Sequence, residues 1–221
     1  MASVVEIWRY PVKSMAGESL DSCEVTELGL EGDRRWAFIE GMEPRVGKFF
    51  NIKQDSGLMR YRARLVDGKL EVTAPDGISS GLGGALTTLL GESKRVVNVR
   101  DQAGANFDDA PVLIVNLASV AAFSLEAGMP VDHRRFRANL YVDGLEPEEE
   151  LGWLGGRIQA GEAELEVIER CVRCVVVNHD PDTTETAPRL LELLVERHDK
   201  CMGVYCKVTE PGRVTVGDFV G

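Results

Sequence analysis

The sequence predicts a β-rich, mixed α/β chain in two parts, and three observations carry that prediction. Short runs of β-branched and aromatic residues recur from the start, each punctuated by Gly, Asp or Pro. Helical signals are confined to a few stretches. A glycine-rich passage, "GISSGLGGAL" at residues 77–86, breaks the rhythm and reads as a flexible link between halves. The division falls at residues 1–80 and 81–221.

In the first part "VVEIWR", "CEVTEL", "RWAFIE" and "KLEVTA" read as strands of an antiparallel meander or barrel. The second part opens with the apolar strand "DDAPVLIVN". It continues into "LASVAAFSLEAG", a helix that Asn116 can cap and Gly128 can end. Further strands follow in "RANLYVDG", "GRIQAG", "AELEVIE", "CVVVN", "VYCKVTE" and "RVTVGD". Between them, "TAPRLLELLVERHDK" reads as an amphipathic helix. Thr186 is its cap, Pro188 lies in its first turn, and leucines at 190, 191 and 194 face the core.

Composition narrows the classes of function. With 44% hydrophobic and 28% charged residues the chain is neither disordered nor membrane-embedded, and no apolar run approaches the roughly 18 residues a membrane span needs. The N-terminus lacks the basic start and long apolar stretch of a secretory signal. Five cysteines, an odd number, fit free thiols in a reducing cytoplasm better than a disulfide framework. A net charge of −11 argues against nucleic acid, so any anionic ligand must be gripped by a local gathering of cations. Three such groups stand out: Lys13, the Arg34–Arg35 pair, and Arg134, Arg135 and Arg137.

The chemistry concentrates in "RCVRCVVVNHDPDT", residues 170–183. Cys171 and Cys174 give one close pair, but Cys201 and Cys206 do not supply the second pair of a structural zinc site, and the histidines have no ligand rhythm. A redox dithiol wants its first cysteine at a helix N-terminus, whereas this pair runs into a valine triplet. Buried inert thiols remain the bland alternative. Arg170 and Arg173 argue against it for at least one of the two, because neighbouring cations favour thiolate. A soft thiolate beside arginines suits a soft metal carried by an anionic cofactor.

The ordered set "YPVKS", "GLEGDRRW", "FRANL", "CVRCVVVNHDPDT" and "VTVGD" resembles the MOSC family, the molybdenum cofactor sulfurase C-terminal domain, with its N-terminal β-barrel partner. Within it, the resemblance is to the mitochondrial amidoxime reducing component and its bacterial relatives. The resemblance implies an N-terminal β-barrel-like half packed on a MOSC β-barrel with a few helices. It implies a molybdenum cofactor (molybdopterin) whose metal is completed by Cys174, with Cys171 as a neighbour. Lys13, Ser14 and Arg34 match positions that hold the pterin and its phosphate; Arg137 and Asn139 match positions that close on it from the other half. Arg173 adds a forked anion donor beside the thiol. Relatives commonly carry Pro where this chain has Ala138, and Val172 replaces a polar residue.

The activity implied is reduction of N-hydroxylated or related N-oxygenated compounds, with electrons from a separate reductase, since no ferredoxin-like cysteine spacing follows the MOSC segment. Asp180 and Asp182 read first as a turn, with proton shuttling as the functional alternative. Two rival readings stand beside it: a non-catalytic carrier of cofactor or persulfide sulfur, which the same cysteine and basic pocket would serve, and a β-domain interaction protein with inert buried thiols, which leaves the ordered basic motifs unexplained.

Overall fold

The computed structural model describes residues 1–91 and 96–221. Seven strands close into a barrel. Going round, these are Ala2–Arg9, Leu140–Asp143, Val112–Asn116, Cys201–Glu210, Ala163–Val172, Arg157–Ala160 and Phe219–Val220, which returns to Ala2–Arg9. All neighbours are antiparallel except Val112–Asn116 with Leu140–Asp143. That parallel pair needs a crossover, and the Leu117–Ala127 helix lies within it. The first strand of the chain is therefore a stave of the barrel built mostly from its second part.

Side-chain alternation sets two cores on the two faces of this barrel. Val112 and Ile114, Leu140 and Val142, Val204 and Cys206 point into the cluster that fills it. Leu113, Val115 and Tyr141 point outward, onto Phe123 of the crossover helix and Leu190, Leu193 and Leu194 of the Arg189–Arg197 helix. Strands this apolar on both faces read as continuous hydrophobic runs, as "VLIV" does. At Gly203 two staves approach so closely that a Cβ would lie 2.4 Å from the Ile114 carbonyl oxygen, and its φ of +79° also requires glycine.

A third core, with Val12, Met15, Phe38, Phe50, Leu58, Tyr61 and Val72, organises the N-terminal half. Its strands do not form one meander. Ser22–Thr26 pairs with Gly212–Thr215, Trp36–Glu40 with Val97–Asp101, and Lys69–Thr73 with Arg62–Val66. Three further sequence readings differ from the structure. "GISSGLGGAL" is ordered, with a short strand at Ser79–Ser80 and a helix at Leu82–Leu90, because Ala85 and its flanking leucines have the third core to pack on. The valine triplet is a 3-10 turn, Val175–Asn178, and not a strand. Thr186 does not cap the last helix. Pro188 occupies the cap position with no side-chain cap bond, and Asn178 Oδ1 accepts from Leu191 N at 2.9 Å instead. The other helix behaves as its sequence indicates: Asn116 accepts from Ala118 N at 3.0 Å and Gly128 ends it in the left-handed conformation.

Candidate functional site

A cavity of about 400 Å³ opens where the N-terminal half meets the outer face of the barrel, within the roughly 300–1,000 Å³ typical of ligand pockets. Lys13, Ser14, Arg34, Arg137, Arg173 and Cys174 all contribute to its wall. They come from segments far apart in sequence, so the fold gathers at one place the cations that an acidic chain spreads thinly. Among the described residues five cations line it (Lys53 being the other), against two carboxylates, Asp108 and Asp109.

Each residue reaches the cavity for a local reason. Lys13 and Ser14 follow the first barrel strand, where Val12 bridges to Trp36. Arg34 sits in the turn before strand Trp36–Glu40, and Arg137 ends the 3-10 turn His133–Phe136. Ser14, Arg34 and Arg137 have φ of +77°, +45° and +54°. Left-handed backbone is uncommon for such residues, costs of order 1–3 kcal/mol each, and clusters at functional sites.

Buried bonds hold these conformations. Arg34 pairs with the buried Asp33, and also donates to Asn139 Oδ1 at 3.3 Å and to the Arg137 carbonyl at 3.1 Å. Arg137 donates to the Met15 carbonyl at 2.8 Å. Both guanidinium groups lie near the ring of Tyr10, at 5.1 and 4.4 Å from its centroid. Burial pulls Arg137 below its ordinary pKa, Tyr10 supports its charge, and Arg34 opposes it. Burial likewise lowers Lys13, which Asp108 supports and the two arginines oppose. Cations that disfavour one another in this way are relieved by an incoming anion.

Asn139 is buried behind Arg34 and not on the cavity wall. Its Oδ1 also accepts from Leu113 N at 3.2 Å, and its amide donates to the Trp8 carbonyl at 3.3 Å. Arg173 lines the cavity with both terminal nitrogens engaged, on Cys171 Sγ at 2.7 Å and the Phe136 carbonyl at 2.6 Å, while its Nε is buried with no protein partner. The two thiols differ sharply. Cys171 is 1% exposed, whereas Cys174 is partly open to the cavity as the chain leaves its barrel strand. Val172 and Val175, on either side, are exposed.

Other basic residues are structural pins. Arg35 pairs with Asp101; Arg134 pairs with Asp132 and Asp182; Arg135, 5% exposed, binds Asp180 and the Asn178 carbonyl. Asp180 also accepts from the backbone of Asp182 and Thr183, which is the turn its sequence indicates. Among the described residues no group of three His, Cys, Asp or Glu side chains is placed to hold a metal ion. Asn51, Ile52, Asp108, Asp109 and Tyr205 also line the cavity, and no local pattern marked them.

Fold and cavity together define a β-barrel protein with a cationic pocket and one accessible thiol between its halves. Family models identify it further: the MOSC N-terminal beta barrel domain matches residues 1–119 and the MOSC domain residues 97–221. The chain belongs to the MOSC family. Molybdenum cofactor sulfurase from Caenorhabditis briggsae is 26% identical over 250 aligned positions, which cover 96% of this chain and 35% of that one. Mitochondrial amidoxime reducing component 2 from Bos taurus is 25% identical over 288, covering 100% and 83%. The chain thus spans about a third of the sulfurases it matches and about four-fifths of the amidoxime reducing components. The YuaD protein from Bacillus subtilis shares the fold, with a TM-score of 0.56 at 17% identity over 100% of this chain and 94% of that one. No helix among the described residues is long and apolar enough to cross a membrane.

Proposed function

We propose that this protein binds molybdenum cofactor in the cavity, with Cys174 as the metal's protein ligand, and reduces N-hydroxylated compounds using electrons from a separate reductase. The observation that carries the proposal is the meeting of one accessible thiol with Lys13, Ser14, Arg34 and Arg137 around a single cavity. The donor set fits a phosphorylated pterin: a cationic wall for the phosphate, an orphaned Arg173 Nε, and a soft sulfur for a soft metal. Free thiols support a reducing, cytoplasmic compartment. Relatives named as amidoxime reducing components support the reaction class.

Lys13 and the two arginines would take phosphate oxygens, and the Ser14 hydroxyl, which accepts from Ile52 N at 3.3 Å, keeps its own proton to donate. Asp33 and Asn139 orient Arg34. Arg173 fixes the loop that presents Cys174 by tying Cys171 to Phe136. When bound, the cofactor supplies the two-electron chemistry, by which R–NH–OH, two electrons and two protons give R–NH₂ and water. The exposed Val172, with Val176 beside it in the wall, gives the cavity an apolar edge for the organic part of the substrate.

The test is turnover. Protein carrying a full complement of molybdenum and pterin, given an artificial reductant, should convert an amidoxime or aryl hydroxylamine to the amidine or amine. Full loading with no conversion of any such substrate would replace the enzyme reading with that of a cofactor carrier.

A further inference from the structure

Lys13 is held in three ways. Its ammonium donates to the Asn106 carbonyl at 2.7 Å and to Asp108 Oδ1 at 2.5 Å, and lies 4.8 Å from the centroid of the Phe49 ring. The first hold is fixed. Asn106 is fully buried, and its amide donates to the Arg35 and Gln102 carbonyls at 2.8 and 3.1 Å. The Asp108 hold is of another kind, because that side chain is 73% exposed at the cavity edge. Burial acts to raise its pKa, yet Lys13, Arg34 and Arg137 together bring it below the usual carboxylate value. Asp33 pairs with Arg34 from the buried side, so Asp108 is the solvent-facing carboxylate that offsets Lys13 and the remaining positive charge of the cluster.

We propose that Asp108 is a displaceable counter-anion, which holds Lys13 until a phosphate monoester enters and then turns out to solvent, yielding its place to a phosphate oxygen. This deepens the cofactor-binding reading and rests on it. A pair with one partner open to water is weaker than a fully buried one, since solvent screens the carboxylate and that side chain must stay ordered to make it. A phosphate monoester brings about twice the charge and three acceptor oxygens, so it outbids a single carboxylate at a site with three cations. Asn106 keeps the ammonium in position during the exchange, because only one of its donors changes partner. Asp108 therefore sets the site's affinity by competing for it, and keeps the cation cluster tolerable when no ligand is bound.

Phenyl phosphate titrated by calorimetry at constant ionic strength tests this in wild type, Asp108→Asn and Asp108→Ala. Asp109→Asn removes the same charge from the same cavity and serves as the control. Both Asp108 variants should bind about two- to fivefold more tightly than wild type. They should melt at lower temperature without phosphate and gain more on its addition. In a Lys13→Gln background, Asp108→Asn should gain no more than Asp109→Asn does. Equal or weaker binding by the Asp108 variants, or an equal gain from Asp109→Asn, overturns the proposal. If wild type carries molybdenum and pterin while the variants bind phosphate no better, only the counter-anion role falls. If wild type takes up neither cofactor nor phenyl phosphate, the binding reading falls with it.

Discussion

Arg34 shows how one side chain is given a single position. Its left-handed backbone is unfavourable alone, and it persists because the guanidinium reaches Asp33, Asn139 and the Arg137 carbonyl at once. Only a planar fork can do this. Lysine keeps the charge but places it at one point, leaving buried acceptors without donors. Arg34→Lys should therefore destabilise the protein by about 2–3 kcal/mol in urea denaturation. A loss below about 0.5 kcal/mol, the level of an ordinary surface substitution, would mean that these bonds do not hold the turn. At this scale the sequence singled out the cations at 13, 34 and 137 by the motifs they sit in, and the structure brings all three to one cavity. It was a poor guide to Asp33 and Asn106, whose work is to hold a cation in place from a buried position. Nothing in the identity of an Asp or Asn distinguishes that role from a turn.

The elements were legible where a signal was local. Asn116 and Gly128 mark the ends of a helix by cap chemistry that needs no tertiary partner, and the structure has both. Asn116 does more than cap: its amide donates to the Glu146 carbonyl at 2.8 Å and to the buried Glu150 at 3.1 Å, a carboxylate whose pKa burial pushes up. Asn116→Ala should then cost about 3 kcal/mol, above the ~1 kcal/mol of a simple cap, because Glu150 loses a donor while remaining buried. Thermal or chemical unfolding that shows only the cap's share would separate the two roles. The valine triplet misled because β propensity describes a residue's fit to a pleated surface, and the strand's ladder ends earlier, at the Val172–Cys201 pair. The chain must instead turn sharply after Cys174, and Val177 finds its burial against the outer-face core. The glycine-rich passage misled in the opposite direction. Gly83 and Gly84 weaken a helix, but packing on the third core supplies what propensity lacks.

For the whole molecule, the chain's net charge of −11 and its five-cation cavity are two sides of one arrangement. Acidic residues outnumber basic ones, 36 to 25, and the fold converges Lys13, Arg34, Lys53, Arg137 and Arg173 on the place where the Cys174 thiol is accessible. That convergence is possible because the halves are interlaced. The first strand is a barrel stave, Gly212–Thr215 returns to pair with Ser22–Thr26, and the two family matches overlap between residues 97 and 119. The central claim, that Cys174 is the metal's anchor and Cys171 a buried companion, is tested most directly by elemental analysis. Molybdenum per chain would be measured after purification from a cofactor-producing host for wild type, Cys174→Ser and Cys171→Ser. Metal should fall by at least about tenfold in Cys174→Ser, with the circular dichroism of the folded protein retained, and stay near wild type in Cys171→Ser. Equal molybdenum in wild type and Cys174→Ser, or a loss confined to Cys171→Ser, would contradict the account.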